Sequence, residues 1–223
     1  MTIIFFGSSD FSIPVLKAVQ ASGHKVLLVV TTPDRKKGRG QKMAPSQVNL
    51  FARGKGIRTS EPEKLSDPIL AEQLRNLRPD VMVIASYGKM VPASIFKIPC
   101  VASLNVHPSL LPRHRGASPI QQSILDGDEK TGVSIAEVTD RLDAGDVFGQ
   151  VETKIGSAEN ALELGSRLAE MAGPVLLEVL DRLKKGKARR VRQDDSQATY
   201  AKKLERESGR IHWALSASSI HNQ

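Results

Sequence analysis

The stretch KVLLVVTT, residues 25–32, follows its leading lysine with an unbroken apolar run. A strand with one wet face alternates apolar and polar side chains, so a continuous run needs cover on both faces, as in a parallel sheet flanked by helices. TIIFFGSS (2–9) has the same character. Between the two lies IPVLKAVQAS, with Ser12 and Pro14 at its start and Gly23 at its end. A capping candidate with an early proline and a terminal glycine is helix punctuation. The first thirty residues therefore predict a β-α-β unit.

Working outward, the alternation repeats. Ile69, Leu70, Gln73, Leu74 and Leu77 fall at helical spacing within 67–77, and VMVIASY (81–87) is the next buried strand. VASLNVH (101–107) is another, with a helix over Pro119 to Leu125. Alternating β and α over the first 130 residues predicts an α/β, doubly wound, Rossmann-like and mostly parallel sheet with helices on both faces. Beyond Gly127, TGVSIAEVT (131–139) and DVFGQVETKI (146–155) alternate more strongly and predict an antiparallel pair at the sheet edge. A long helix over about 160–184 carries Leu164, Leu168, Met171, Val175, Val179 and Leu183 on one stripe, with a kink expected at Gly173-Pro174. The expected organisation is a domain over 1–185, a polar and basic linker over 186–208, and the opening of a further unit at 209–223.

Composition narrows the function classes. The chain has 223 residues, 40% hydrophobic and only 4% aromatic, so its core must rest on Val, Ile, Leu and Ala. The single cysteine, Cys100, rules out an internal disulfide and suits a reducing cytosol. The apolar N-terminus lacks a basic lead and reads as a first strand, not a signal peptide. No window is long and apolar enough for a membrane span, and a monomer without membrane contact is expected. The net charge of +8 is concentrated in two blocks. DRKKGRGQK (34–42) carries +4 and RLKKGKARRVR (182–192) carries +7, which leaves the remainder slightly acidic at −3. Basicity in blocks points to a polyanionic partner, most naturally nucleic acid.

The first turn, GSSDFSIP, holds one glycine where a dinucleotide fingerprint needs three, and no Walker A pattern occurs. Gly7 therefore reads as a turn former, with neither NAD nor ATP expected. The chemistry sits elsewhere. Asn105 and His107 are two apart at the carboxyl end of a predicted strand and so share one face, at the sheet end where open α/β folds bind ligands. An asparagine amide can stabilise charge developing on oxygen, and a histidine can move a proton near neutral pH. A polar pair that only caps a strand end would look the same. Downstream, TDRLDAGDV (139–147) offers Asp140, Asp143 and Asp146, any of which could orient the imidazole. Spacing alone does not choose among them, although Asp143, flanked by Leu142 and Ala144, is the best placed to turn inward. No Cys/His cluster offers a metal site.

Taken together, these residues resemble a known family. Asn105-Val106-His107, Ser109-Leu110-Leu111-Pro112, Gly116, Thr131-Gly132 and Leu142-Asp143-Ala144-Gly145-Asp146 resemble the motif of formyltransferases that use 10-formyltetrahydrofolate. The resemblance implies a catalytic set of Asn105, His107 and Asp143. It also implies a folate held by Ser109, Leu110, Leu111 and Pro112. TTPDRKKGRGQKMAPSQV (31–48), RGASPIQ (115–121) and QDDSQATYAKKL (193–204) resemble the branch that formylates initiator methionyl-tRNA. That branch implies that the basic loop with Arg35, Lys36, Lys37, Arg39 and Lys42 meets the tRNA acceptor end, Arg39 foremost. It further implies that residues 209–223 begin a small C-terminal β-barrel domain, truncated here. Two other readings fit the residues: formyl transfer to a small amine, such as glycinamide ribonucleotide or an amino sugar, and a catalytically weak folate- or RNA-binding fragment.

Overall fold

A computed structural model describes residues 1–37 and 42–223. The elements are β1 (Thr2–Gly7), α1 (Ser12–Ala21), β2 (Lys25–Val30), β3 (Arg35–Lys37), β4 (Lys42–Ala44), α2 (Gln47–Gly54), β5 (Thr59–Ser60), α3 (Pro68–Asn76) and β6 (Val81–Ala85). They continue as α4 (Ala93–Phe96), β7 (Ala102–His107), β8 (Arg115–Gly116), α5 (Pro119–Leu125), β9 (Lys130–Glu137), β10 (Val147–Lys154), α6 (Ala161–Lys184), β11 (Tyr200–Ala201) and α7 (Ala217–His221). Among the described residues no helix is long and apolar enough to cross a membrane.

Seven strands form one sheet in the order β10-β9-β7-β6-β1-β2-β5. The five strands from β7 to β5 run parallel, whereas β9 is antiparallel to β7 and β10 to β9. The expected mostly parallel sheet with an antiparallel edge pair is therefore present. Continuous apolar strands are covered on both faces. Ile3, Ile4, Phe5 and Phe6 are each 0% exposed, with Ile3 and Phe5 in one core and Ile4 and Phe6 in the other. The first core is closed by Val15 and Leu16 of α1 and by Leu168 and Leu176 of α6. The second is closed by Leu70 and Leu74 of α3 and by Ile95 of α4. Each such side chain removed from water contributes about 1.5–3 kcal/mol before entropy is counted.

Local details depart from expectation in instructive ways. Ser12 does not cap α1; its hydroxyl donates to the Ala85 carbonyl at 2.6 Å and staples the helix to β6. Gly7 is required by close packing, since a Cβ there would lie 2.8 Å from Ser12 Cβ. α6 opens with a capping box, Asn160 accepting from the amide of Glu163 while the Glu163 carboxylate accepts from the amide of Asn160. It then runs unbroken through Pro174 to Lys184. Its buried arc is wider than the expected stripe, because Ala172, Leu176 and Leu180 join Leu164, Leu168 and Val179. The helix packs against α1 as well as the edge strands, so two neighbours share its apolar side.

The segment 186–208, expected as a linker, is bound to the α/β body. Val191 exchanges two backbone hydrogen bonds with Val147, at 2.8 and 2.9 Å, and β11 pairs in parallel with β8. Arg190 lies over the Phe148 ring at 5.4 Å, so part of the basic run serves the fold. Backbone pairing needs no apolar side chains, which is why hydropathy misses it. Residues 209–223 carry α7 and leave Trp213 80% exposed.

α6 approaches α1 closely at Gly173, where a Cβ would come within 2.7 Å of Ala18 Cβ. Gly173→Val should force the two helices apart and destabilise the protein by about 1–3 kcal/mol, measurable as a lowered urea midpoint with little change in slope.

Candidate active site

Chain order reverses direction in the sheet between β1 and β6, and the carboxyl ends of β1, β6 and β7 open onto one cavity of about 1290 Å³. Such a switch point is where open α/β sheets bind ligands. A small-molecule site takes roughly 300–1,000 Å³, so this cavity has room for parts of two reactants. Asn105 and His107 stand on its wall at the end of β7, as the strand parity requires.

Asp143, the aspartate best placed by its flanks and implied by the resemblance, joins them from the loop between β9 and β10. Its Oδ1 accepts from Asn105 Nδ2 at 2.9 Å, and its Oδ2 accepts from the Gly116 amide at 2.9 Å. The same Oδ2 lies 3.7 Å from His107 Nδ1. Asp140 is instead exposed beside Lys97 at 3.8 Å. His107 is buried, and its Nε2 lies 2.9 Å from the carbonyl oxygen of His114. A carbonyl only accepts, so Nε2 carries hydrogen and the neutral ring presents its lone pair at Nδ1. Nδ1 thus stands beside the carboxylate and at the cavity. Asn105 commits one amide hydrogen to Asp143 and keeps the second. The arrangement combines a hydrogen-bond donor, a proton acceptor and a compensating anion.

Ser109, Leu110, Leu111 and Pro112 are not among the residues lining the cavity. They form a turn packed against β9 and β10. The Ser134 hydroxyl accepts from the Leu111 amide at 3.0 Å and donates to the Ser109 carbonyl at 2.6 Å. Gln150 Nε2 donates to the Leu111 carbonyl at 2.9 Å, and the Leu110 side chain abuts Gly132. The turn braces the chain on from His107. His114, two residues beyond that turn, is buried, with Nε2 at 2.6 Å from Asp128 Oδ2.

The sequence reading passed over the wall after β6. Ser86, with φ +47, and Gly88, with φ +80, bend SYGKMV across the cavity mouth, where Met90 and Leu142 are exposed apolar rim. A glycine just beyond the carboxyl end of a buried strand was the available signal. On the opposite wall, Arg167 is tied to Glu159 by two hydrogen bonds at 2.9 and 2.7 Å, and that pairing holds the Glu159 carboxyl below its ordinary range. The tied guanidinium is thus not a free cation in the cavity. Arg35, Lys36 and Lys37 lie on β3, which pairs antiparallel with β4, the strand of Lys42; Arg39 lies outside the described residues. Among the described residues no group of three or more His, Cys, Asp or Glu is gathered that could hold a metal ion.

A family model described as "Formyl transferase" matches residues 1–180. A methionyl-tRNA formyltransferase of Sulfurihydrogenibium sp. (strain YO3AOP1) is 42% identical over all of this chain and 72% of its own length. One of Solibacter usitatus (strain Ellin6076) matches at 42%, again over all of this chain and 72% of its own length. Among solved structures, the N-formyltransferase of Helicobacter canadensis, in complex with folinic acid and dTDP-3-aminofucose, superposes with a TM-score of 0.75. It covers 99% of this chain and 78% of its own, at 17% identity, a likeness of fold.

Ser134→Ala would strip the partner from the buried Leu111 amide and Ser109 carbonyl together. Each unmet buried group costs about 1–3 kcal/mol, so the variant should lose stability in that range or above, read by chemical denaturation.

Proposed function

The chain belongs to the formyl transferase family, alongside the methionyl-tRNA formyltransferases, and on that premise we propose how its cavity carries a formyl group from 10-formyltetrahydrofolate to the amino group of methionyl-initiator tRNA. The observation that carries the reading is the convergence of Asn105 and His107 on Asp143 at the cavity wall. The cavity suits the folate: Tyr87, Val91 and Val138 give it apolar cover, and polar groups gather at one end. The folate supplies an activated formyl carbon. An α-amino group with a solution pKa of ~7.7–8.0 is partly neutral at physiological pH and can attack it.

The protein's residues act around that attack. The free amide hydrogen of Asn105 faces the oxygen on which negative charge develops. The Nδ1 lone pair of His107 takes the proton that the amine sheds, and the ring is then charged. Asp143 Oδ2, close to Nδ1, compensates that charge, and Gly116 and Asn105 hold the carboxylate so that it need not reorganise during the step. The proton leaves Nδ1 for the folate nitrogen as that bond breaks. The turn Ser109–Pro112 acts by bracing the segment that follows His107.

The basic block supplies the other half of recognition. Arg35, Lys36, Lys37, Arg39 and Lys42 pair with phosphates of the acceptor end, with the Lys184–Arg192 run adding sequence-independent contacts. A reaction on initiator tRNA belongs to a bacterial cytoplasm or an organellar matrix. Transfer to a small amine is the chemistry named for a neighbour that shares only the fold, whereas the relatives at 42% identity are named for methionyl-tRNA.

Single-turnover formylation of charged tRNA tests the chemistry: His107→Ala should lower the rate by about 10²–10⁴-fold, and a rate within twofold of wild type would remove His107 from the step. Arg39→Ala should raise KM for tRNA, reduce the salt slope by about one and leave folate binding intact. Equal loss of both substrates would sink the loop assignment.

A further inference from the structure

Arg115 is 1% exposed, and a guanidinium so buried needs its charge answered. Its Nη2 donates to Asp195 Oδ1 at 2.8 Å. Its Nε and Nη2 both donate to Gln193 Oε1, at 3.0 and 2.8 Å. The other end of that carboxamide faces the active-site loop, where Gln193 Nε2 donates to the carbonyls of Asp143, at 2.8 Å, and Gly145, at 2.6 Å. The amide orientation is forced, since a guanidinium only donates and carbonyls only accept. Gln193 spends both hydrogens and both lone pairs on these four bonds. Arg141 closes the network by donating to Asp195 Oδ2 at 2.9 Å.

Asp143 needs such a grip. Its φ of +48 lies in the left-handed region, which non-glycine residues hold only where their surroundings enforce it. Its carboxylate must meet Asn105, the Gly116 amide and the His107 ring at once, and rotating its peptide would swing it off all three. Gln193 holds the carbonyl of this residue and, two residues on, that of Gly145. Through Arg115 it also ties the loop to β8, whose Gly116 amide is one of the groups on the carboxylate.

We propose that Gln193 is a positioning residue for formyl transfer: it clamps the backbone of the Asp143 loop to Arg115 and so holds the Asp143 carboxylate against Asn105 and His107. The proposal rests on the reading of Asp143 as a member of the catalytic set. It also makes residues 191–201 a working part of the active site, not a tether.

Gln193→Glu is the discriminating variant, because it keeps size and the Arg115 anchor but turns an acceptor toward the two carbonyls. A misplacement of about 1 Å can cost 10²-fold, so kcat should fall about 10–100-fold while KM for donor and for methionyl-tRNA stays within about threefold. Gln193→Met, which keeps bulk without polar atoms, should behave alike. Combined with Asp143→Asn, either change should add nothing, because both act on one carboxylate. A near wild-type kcat in both Gln193 variants would overturn the proposal. So would losses that multiply with Asp143→Asn, or loss of cooperative unfolding in both variants, which would assign Gln193 to folding. Wild-type turnover in Asp143→Asn alone would instead overturn the reading of the site, a separate outcome.

Discussion

The carboxylate of Asp143 is the point on which the site depends, because groups on β7 and β8, from 27 to 38 residues earlier in the chain, end on it. Asn105 arrives at the end of a buried strand, Gly116 on a two-residue strand, and His107 with its far nitrogen held by a carbonyl. An anion can satisfy several donors at once. Once it is set, Asn105 has one hydrogen left, and His107, held at Nε2 by the His114 carbonyl, has one nitrogen left. Those two free valences are what the proposed chemistry uses. Preorganisation of this kind comes from the fold, not from any single residue's intrinsic reactivity.

What holds the carboxylate in turn is an arrangement of polar groups in series around an apolar frame. The sheet's two-sided burial makes the carboxyl ends of β1, β6 and β7 rigid rims. Loops mounted on those rims are then braced by single buried polar groups. Ser134 braces the turn after His107, and Gln193 braces the turn that bears Asp143. The depression of the Asp195 carboxyl below its ordinary range, by Arg141 first and Arg115 next, belongs to the same network. Each brace has all its hydrogen-bonding capacity used, the condition under which polar groups can be removed from water without loss.

The fold was legible because its signals are local and redundant. VLLVV and TIIFF cannot serve a one-sided sheet, and the helix between them is punctuated at both ends. The antiparallel edge pair was legible for the complementary reason, alternation. The short elements were not. RKK and KMA carry no strand signal, and β8 and β11 are two residues each, held by partners some eighty positions away. The tail reads as a linker in sequence because its binding to the body runs through backbone groups and long polar side chains, which look like a solvated surface in any window of sequence.

Within the site the division falls similarly. Residue parity along β7 put Asn105 and His107 on one face, and residue type restricted what they could do, so the sequence by itself determined the sheet, the position of the site at its carboxyl edge and two of the three groups. The tertiary structure added that Asp143, the aspartate the sequence favoured, meets that pair, that Nδ1 is the imidazole nitrogen beside it, and that Ser109–Pro112 pack on β9 and β10. Strand parity and burial patterns are properties of neighbours in the chain. The selection of Asp143, by contrast, depends on a left-handed turn, a glycine amide and a glutamine fifty residues downstream meeting in space, and no periodicity records that meeting.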